Sequence, residues 1–411
     1  MKIGFVTAFP PEKDGVADYS FYLIESILKV SNDCSFYVMS RLLDDKPSVT
    51  RFNERVLLFR IWRMKSFKDM LRSLMLLFKT IVAMKMDILH FQYRFTRDAG
   101  GSVGEPLYIL MLFTRKIMRK TKIVISLHDF WLPEEVEQRA YEVTRSRLAS
   151  KLYRLYYSAY LRAILSVPHL IISIVNYPNS PVTKFIRRYT KKEVVEVIHG
   201  LPDIKATKKS GEAFSMGKSF TALLFGFIRR SKGYQYVIRA LAKIVTSNPS
   251  IRGKVKLLIA GIPAPSTEWL YFKYLVELIR KLGIGDIVSI VTKYLDTQEV
   301  DALFRSVNVV IVPYMRRVGP SGILSFALAY EVPTIITSDS KYIITDSDFP
   351  AMIVKLNENE IGYAILKLMN DKNEYEKQIQ RIRRYKKMHN NEKIALRHVE
   401  LYRKLLSGEY A

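Results

Sequence analysis

Two basic, glycine-containing stretches of the sequence have the chemistry of a phosphate site. In FGFIRRSKGYQYVI, a basic run precedes a predicted helix that begins near Gly233, although surface charge alone would also explain this run. In VPYMRRVGPSGILSF, glycines and a serine precede an apolar helix, and Arg316 and Arg317 add charge. Amides at a helix start and nearby cations both attract phosphate oxygens. We therefore predict a diphosphate site at Arg229, Arg230, Lys232, Gly319, Ser321 and Gly322.

Other polar residues follow predicted strands nearer the N terminus. His128 and Asp129 end the run ISLHDFW, where a histidine can bind a substrate and titrate near neutral pH, or serve a structural role. His90, in LHFQYRF, is indicated by a similar position in its strand, with a weaker signal. In FPPEKDGVADYS, Gly15 precedes a predicted helix and allows close approach of a ligand. Asp18 either caps that helix or binds a sugar hydroxyl.

Short aliphatic and β-branched runs alternate with amphipathic stretches, which is typical of parallel sheets covered by helices. The polar segment 201–218 is predicted to be a linker, and 374–406 is predicted to be helical. Ligands of such sheets bind beyond the carboxyl ends of strands, where the residues above lie. The first series of predicted strands is 2–8, 35–40, 56–61, 87–92, 122–127, 170–175 and 193–198. The second series is 220–225, 255–260, 286–291, 308–312, 334–338 and 352–356.

The composition favours two domains inside a reducing compartment. A chain of 411 residues is too long for one ordinary core, and 49% hydrophobic residues supply apolar surface for two. The single cysteine, Cys34, excludes a disulfide framework and a cysteine-rich metal cage. The first residues lack the features of a signal peptide, and 163–183 is interrupted by prolines, as in a buried strand with its loops. We expect a cytoplasmic protein.

The strong positive charge is compatible with an anionic partner. The chain has 65 Lys and Arg against 39 Asp and Glu, a net charge of +26. The excess is evenly spread, because residues 1–200 hold 32 basic and 19 acidic residues, about half of each total. Nucleic-acid binders usually show a basic stripe and a recognisable module, and neither is present, so we expect no nucleic-acid partner. The alternative is that Lys and Arg only solvate the surface of a heat-adapted protein.

In their order and spacing, these motifs resemble the retaining GT-B glycosyltransferases of family four, glycosyl transferases group 1. The resemblance extends over nearly the whole chain. It implies an α/β fold with two Rossmann-like domains facing each other across a cleft and a C-terminal helix returning to the N-terminal domain. The implied boundaries are 1–200 for the acceptor domain, 201–218 for the linker, 219–388 for the nucleotide-sugar domain and 389–411 for the helix. The motifs are PPEKDGVADYS, DILHFQYRF, ISLHDFW, VIHGL, FGFIRRSKGYQYVIRAL, LLIAG and VPYMRRVGPSGILSFALAYEVPTIIT.

The resemblance also implies a reaction, the transfer of a sugar from a nucleotide-diphosphate donor with retention. By analogy, Gly15 lies near the donor's phosphates, His128 contacts the transferred sugar and Lys232 binds the diphosphate, while the amides of 319–322 complete the phosphate cradle. We take His128, Lys232 and Asp18 as the catalytic candidates. Cations and amides would stabilise the departing diphosphate, so we expect neither a metal nor another cofactor. The Asp-x-Asp string at 346–348 is interpreted as a chance match to a metal motif.

Two departures from the family pattern concern the donor. The family commonly has a pair of acidic residues around the second-domain loop, one for the sugar and one for the ribose. Val318 and Phe326 occupy the corresponding positions here, so the identity of the donor stays open. The family often has an arginine where this chain has Phe227, and Arg229 or Arg230 is our hypothesis for the missing charge.

One stretch could contact a membrane. Residues 60–85, RIWRMKSFKDMLRSLMLLFKTIVAMK, contain seven basic residues and one acidic residue between large apolar side chains. Such a helix can lie in a membrane interface, or it can simply pack one face on the sheet. TRKIMRKTK, 114–122, would extend a basic patch. We predict a peripheral enzyme on the inner face of the cell membrane with a glycan or lipid-linked acceptor, while soluble acceptors stay open.

Three rival functions are compatible with parts of this pattern. A nucleotide-sugar epimerase or hydrolase of the same fold would form product without an acceptor. A catalytically silent binding protein would bind the donor without turnover. A nucleic-acid binder would associate with oligonucleotides in a strongly salt-dependent way.

Overall fold

The computed structural model describes residues 1–12, 14–63, 66–94, 106–129, 131–176, 179–202, 204, 219–263, 268–315, 321–337 and 349–410. These residues form two compact units, and each is described by itself. The N-terminal unit contains 1–200 and 391–410, and the C-terminal unit contains 201–315 and 321–390.

The strands and helices follow one another along the chain in the order expected for parallel sheets with helical crossovers. The strands are Lys2–Val6 (β1), Ser35–Arg41 (β2), Ser48–Asn53 (β3), Val56–Trp62 (β4), Ile88–Arg94 (β5), Lys122–Asp129 (β6), Leu170–Val175 (β7), Glu193–Ile198 (β8), Phe220–Phe225 (β9), Val255–Ala260 (β10), Val288–Val291 (β11), Val309–Val312 (β12), Thr334–Thr337 (β13) and Met352–Val354 (β14). The helices are Gly15–Val30 (α1), Phe67–Met84 (α2), Pro106–Ile117 (α3), Pro133–Thr144 (α4), Arg147–Ser166 (α5), Pro181–Arg187 (α6), Tyr234–Ser247 (α7), Glu268–Lys281 (α8), Thr297–Ser306 (α9), Gly322–Ala329 (α10), Glu358–Asn370 (α11), Lys372–Met388 (α12) and Asn391–Ser407 (α13).

The N-terminal unit is built on an eight-stranded sheet in the order β3-β4-β2-β1-β5-β6-β7-β8. Seven of its strands are parallel, and β3 pairs antiparallel with β4 at the edge. Right-handed crossovers place helices that advance in opposite directions along a sheet on opposite faces. Because β1 leads through α1 to β2, α1 covers one face. The chain runs in the other direction along the sheet from β4 through α2 to β5, from β5 through α3 to β6, and from β6 through α5 to β7. Helices α2, α3 and α5 therefore cover the other face.

The C-terminal helix α13 completes the N-terminal unit. It packs against α1, and its buried side chains belong to the same core as those of α1 and the central strands. Leu401, Tyr402 and Leu405 are fully buried, and each such side chain stabilises the fold by about 1.5–3 kcal/mol. The expected return of the C-terminal helix to the N-terminal domain is therefore confirmed.

The C-terminal unit is built on a six-stranded sheet in the order β11-β10-β9-β12-β13-β14, and all its pairings are parallel. Its core combines β9, β10 and β12 with apolar faces of α7, α8 and α11. The central strand β9 lies between β10 and β12, so the loops that follow β9 and β12 emerge side by side. Most of the predicted 201–218 linker lies outside the described residues.

The α/β class and the two parallel sheets agree with the sequence analysis, and two details differ. Strand β3, Ser48–Asn53, was not predicted, because its six residues are all exposed and it carries no apolar run. The predicted helical segment 374–406 is two helices, α12 and α13, separated at His389 and Asn390. Within the part of the chain that the structure describes, no helix is long and apolar enough to span a membrane.

Candidate active site

The loop after β1 leads into α1 through an aspartate cap. The side chain of Asp14 accepts a hydrogen bond from the Val16 amide at 2.9 Å, so Asp14, not Asp18, caps α1. The guanidinium of Arg94, at the end of β5, lies 2.7 Å from the other carboxylate oxygen of Asp14. A side chain at Gly15 would have no described atom within 4 Å, so the space beside this glycine is open.

A buried arginine fixes the rest of this loop. Arg60 of β4 donates to the carbonyl oxygens of Phe9 and Pro10, and it lies 3.4 Å from a carboxylate oxygen of Glu12. The same oxygen of Glu12 accepts hydrogen bonds from the Phe9 amide at 3.2 Å and from the hydroxyl of Ser40 at 2.8 Å. A charge inside a protein needs such partners. The loop therefore has a fixed conformation set by contacts from two neighbouring strands.

Asp18 lies in the first turn of α1 and titrates abnormally. Burial, and then the negative charge of Asp14, raise its pKa from 3.8 to about 6. A carboxyl group with this pKa changes its protonation just below neutral pH, as acids and bases at functional sites often do. The proposed capping role of Asp18 is wrong, and its proposed contact with a sugar hydroxyl stays a prediction.

Alternate residues of β5 and β6 form a buried polar row on one sheet face. On β5 these residues are His90, Gln92 and Arg94, and in β6 they are Ser126 and His128. Gln92 is paired in register with Ser126. Alternate residues of a strand point to the same face. The sequence analysis did not predict this row, although the alternation of polar and apolar residues in HFQYR and SLH indicates it.

His128 is held by its neighbours in this row. Its Nε2 lies 2.7 Å from Oε1 of Gln92, and its ring meets the edge of the Tyr19 ring at a centroid distance of 4.8 Å. Burial, followed by the proximity of His199 and Arg94, lowers the pKa of His128 well below its usual value. His128 is therefore neutral near pH 7. The hydroxyl of Tyr19 is buried and has no hydrogen-bond partner among the described residues.

His90 belongs to the core, not to an open site. Its side chain is fully buried, with Nδ1 2.6 Å from the Tyr402 hydroxyl of α13 and Nε2 2.7 Å from the Ser126 hydroxyl. The side-chain nitrogen of Gln92 lies 3.4 Å from the same Nε2. A chain of polar contacts thus connects α13 through His90 and Gln92 to His128. The weak indication of a ligand role for His90 has no support in this geometry.

In the C-terminal unit, the loop after β9 brings a lysine back to the strand end. Arg230–Lys232 form one turn of 3₁₀ helix, and Gly233 follows in the left-handed region with φ 66° before α7 begins. The ammonium of Lys232 donates to the carbonyl oxygen of Phe225 at 3.3 Å. A Cβ atom on Gly226 would lie 3.1 Å from this ammonium and 3.2 Å from the Ile323 side chain. Lys232 and the first turn of α10 therefore flank the same glycine.

The start of α10 has its own connections to this lysine. Ser321 caps α10, because its hydroxyl accepts a hydrogen bond from the Leu324 amide at 3.3 Å. The Tyr314 hydroxyl lies 3.1 Å from that of Ser321, and the Tyr314 ring lies 5.9 Å from the Lys232 ammonium. The Met315 amide donates to the carbonyl oxygen of Ser231 at 3.0 Å. The loops after β9 and β12 are thus in direct contact, as the predicted diphosphate site requires.

The two arginines before Lys232 have different surroundings. The Arg229 guanidinium carbon lies 5.5 Å from the centre of the Phe227 ring. Arg230 is exposed, and its backbone amide donates to Glu268 at 3.0 Å. Phe227, where the family often has arginine, therefore supports Arg229 through its ring. Phe326, at the usual ribose-binding position, packs on the Phe304 ring at 5.8 Å.

Several predicted residues lie outside the described part of the chain. They include Gly319 of the phosphate loop, the charged pair Arg316 and Arg317, Val318, and the Asp346 and Asp348 string. Among the described residues, no cluster of three or more His, Cys, Asp or Glu side chains is arranged to hold a metal ion.

Residues 182–385 match the family model described as glycosyl transferases group 1. This match assigns the C-terminal part of the chain to a glycosyl transferases group 1 domain. The chain is thus a glycosyltransferase of GT-B fold. No curated protein matches the sequence.

Solved structures agree with the fold of this glycosyltransferase along its whole length. It is similar to sucrose-phosphate synthase from Thermosynechococcus elongatus, with a TM-score of 0.72, 16% identity and coverage of 99% of both chains. It is also similar to α,α-trehalose 6-phosphate synthase from Burkholderia multivorans, with a TM-score of 0.69, 12% identity and coverage of 99% of this chain and 97% of the other. A third similar structure is Anabaena Alr3699/HepE in complex with UDP and glucose, with a TM-score of 0.65, 15% identity and coverage of 98% and 99%.

Proposed function

We propose that this glycosyltransferase moves a sugar from a nucleotide-diphosphate donor to a glycan or lipid-linked acceptor, with retention of the anomeric configuration. The diphosphate is assigned to the C-terminal unit, at Lys232, Arg229, Arg230 and the start of α10. The transferred sugar is assigned to His128. Gly15 is assigned to the donor's phosphates, and Asp18 is assigned to a sugar hydroxyl.

This proposal rests on two groups that lie beside Gly226 in the C-terminal unit. The Lys232 ammonium and the first turn of α10 flank this glycine, whose φ of 89° and missing side chain leave room for both. A helix start presents unpaired amides and the positive end of the helix dipole. A cation and a helix start at the end of a parallel strand together form a site for two adjacent phosphate groups.

The chemistry that this site supports is electrostatic. When the bond from the sugar C1 atom to the diphosphate oxygen breaks, negative charge grows on the leaving group and the sugar becomes oxocarbenium-like. Lys232, Arg229 and the amides at Ser321 and Gly322 are assigned to stabilise that charge, since groups held by the fold need no reorganisation at the moment of reaction. We propose that protein cations and amides perform this task without a divalent metal ion.

The role assigned to His128 is to accept a hydrogen bond. Gln92 Oε1 is only an acceptor, so the Nε2 atom of His128 carries the proton that joins them at 2.7 Å. In a neutral imidazole the other nitrogen, Nδ1, is then an acceptor. A sugar hydroxyl is a suitable donor to this atom. Gln92 thus determines which hydrogen bond His128 offers to a substrate.

The donor nucleotide is the least constrained part of the proposal. The similar structure from Anabaena was solved with UDP and glucose, which makes UDP-sugars the first donors to test. The ribose contact must differ from the usual carboxylate, because Phe326 packs on Phe304 at that position.

The acceptor side of the proposal includes an anionic membrane surface, contacted through 60–85. Helix α2 within this segment turns Phe67, Leu71 and Met75 toward solvent and buries Leu77 and Ile81 on the sheet. This helix therefore packs one face on the unit and leaves an apolar face exposed, which supports the membrane contact proposed here. We propose a location on the cytoplasmic side of the cell membrane.

Donor binding and turnover are tested by screening nucleotide-diphosphate sugars with and without a membrane lipid extract and with EDTA. We expect Lys232→Ala to lower kcat/KM by roughly 10²–10³-fold. The matched control is Lys243→Ala, because Lys243 lies on α7 and binds Asn359. Retention is tested by the anomeric configuration of the product, determined by NMR.

Each rival function has its own outcome in this screen. Sugar release without acceptor indicates a hydrolase or epimerase, and donor binding without turnover indicates a silent binding protein. Full activity of Lys232→Ala would show that the diphosphate site has been assigned to the wrong residues. Loss of activity with EDTA would contradict the proposal that no metal takes part.

A further inference from the structure

Three neighbouring helices of the N-terminal unit present apolar side chains to solvent on one face of the sheet. They are α2, α3 and α5, which right-handed crossovers place on the face opposite to α1 and α13. Helices α2 and α3 are in contact with each other. A helix that covers a sheet normally turns its polar side outward. These three helices depart from that rule.

Helix α5 shows the departure most clearly. Leu161, Ile164 and Leu165 are buried against the unit. On the opposite side, Leu148 and Leu155 are 71% and 66% exposed, and Leu152 and Tyr156 are also exposed. The positions 148, 152, 155 and 156 have the spacing of a single helix face. Helix α5 packs on α4, and beside that contact it keeps an exposed apolar stripe among the described residues.

The other two helices repeat this arrangement. On α2 the exposed apolar residues are Phe67, Leu71, Met75 and Val82, and on α3 they are Ile109, Phe113 and Ile117. Spacings of four and seven residues again place each set on one side of its helix. Contiguous exposed apolar surface of this kind marks a contact with a partner or a membrane.

The charges next to the stripes indicate what that contact is. The three helices contain nine basic residues and one acidic residue, Asp69. Helix α4, which packs on α5, adds four glutamates and one arginine, and Glu134 and Glu137 pair with Arg154 of α5, so the balance of all four helices is ten basic to five acidic residues. Helix α5 has no acidic residue, and its Arg147 and Lys151 lie beside the apolar stripe. The cores of protein interfaces are depleted of lysine, whereas helices that lie in a membrane interface combine an apolar side with flanking lysine and arginine.

We propose that α2, α3 and α5 form one docking face that lies on an anionic lipid bilayer. The apolar stripes enter the boundary between headgroups and acyl chains, and Arg147, Lys151, Lys68 and Arg72 bind lipid phosphates. This deepens the membrane part of the proposed function, because it adds α3 and α5 to the segment 60–85 and defines a whole face. Binding to lipid needs no nucleotide sugar, so it can be tested separately from sugar transfer.

The test is flotation of the full chain with phosphatidylcholine vesicles that contain or lack phosphatidylglycerol. We expect binding to the anionic vesicles that weakens with added salt. The combined change Leu148→Asp, Leu152→Asp and Leu155→Asp should lower the partition coefficient at least about tenfold, because three leucines no longer enter the lipid. The control is Leu396→Asp, since Leu396 is 48% exposed on α13, which lies on the opposite sheet face.

A charge variant tests the same face without adding acidic groups. Arg147→Gln with Lys151→Gln should lower binding to anionic vesicles about tenfold or more and leave binding to neutral vesicles unchanged. The proposal is overturned if the wild-type chain does not float with anionic vesicles, or if the leucine variant floats as well as the Leu396→Asp control. It is also overturned if light scattering shows a vesicle-free dimer that the leucine variant dissociates, because the face would then join two copies.

Discussion

The imidazole Nε2 of His128 and the amide Oε1 of Gln92 lie 2.7 Å apart on neighbouring parallel strands. The amide nitrogen of Gln92 faces His90, whose other ring nitrogen contacts Tyr402 of α13. The direction of each hydrogen bond is therefore fixed, and so is the tautomer of His128.

Replacing Gln92 should change the tautomer of His128. In Gln92→Leu we expect a mixture of both neutral tautomers and a loss of transfer rate of about tenfold, because Nδ1 is no longer always an acceptor. Gln92→Glu should keep the wild-type tautomer and raise the pKa of His128. NMR of ¹⁵N-labelled histidine side chains distinguishes the tautomers without substrate. If the tautomer of His128 is unchanged in Gln92→Leu, then Gln92 does not determine that tautomer.

Asp18 should make the folded state less stable as the pH rises. Its pKa is raised to about 6, so the folded chain holds a proton between about pH 4 and 6 that the unfolded chain has lost. The free energy of unfolding must fall across this window. Asp18→Asn should remove the fall and stabilise the protein by about 1–2 kcal/mol near pH 7. Urea unfolding at several pH values measures this, with the exposed Asp44→Asn as the control.

Gly226→Ala should damage the donor site more than the fold. The new Cβ would lie 3.1 Å from the Lys232 ammonium and 3.2 Å from Ile323, in a backbone conformation with φ 89°. We expect donor affinity to fall at least about tenfold, together with about 1–2 kcal/mol of strain. Titration calorimetry with the donor and thermal unfolding measure the two effects. Gly253→Ala is the control, because no described atom lies within 4 Å of its added methyl group.

Arg60→Met should destabilise the N-terminal unit. It removes the donors to Phe9 and Pro10 and leaves the Glu12 carboxylate without its buried cation. We expect a loss of about 3 kcal/mol in denaturant unfolding. The double variant with Glu12→Gln should recover part of this loss, because the unpaired charge is gone. Equal instability of the single and double variants would mean that the ion pair contributes nothing.

The sheets were predictable from the sequence because buried parallel strands are short apolar runs. Four predicted strands, 170–175, 193–198, 220–225 and 255–260, have the observed bounds. The diphosphate loops were predictable for a related reason, since glycine, lysine and helix starts are local signals. Strand β3 could not be predicted from the sequence, because all its side chains are exposed and it is defined only by its pairing with β4.

The remaining features depend on residues far apart in the chain. Asp14 meets Arg94, and His90 meets Tyr402, across 80 and 312 positions. The exposed apolar stripe of α5 also could not be predicted from the sequence. Its segment RLASKLYRLYYSAYLRAILS has leucines on more than one side of the helix, and only packing in the fold decides which side is buried. Capping was one of two roles considered for Asp18 because it lies in the first turn, whereas the observed cap, Asp14, is one residue before the helix.

Helix α13 has a consequence for biogenesis. The ribosome makes its residues after both sheets, yet the core around β1 and β5 is incomplete until Leu401, Tyr402 and Leu405 arrive. The nascent N-terminal half must therefore wait with an uncovered apolar groove, while the second half, whose elements run without interruption from β9 to α12, can fold first. The N-terminal core therefore cannot be completed during synthesis until the last helix has been made, and its uncovered apolar surface is a site that chaperones could shield.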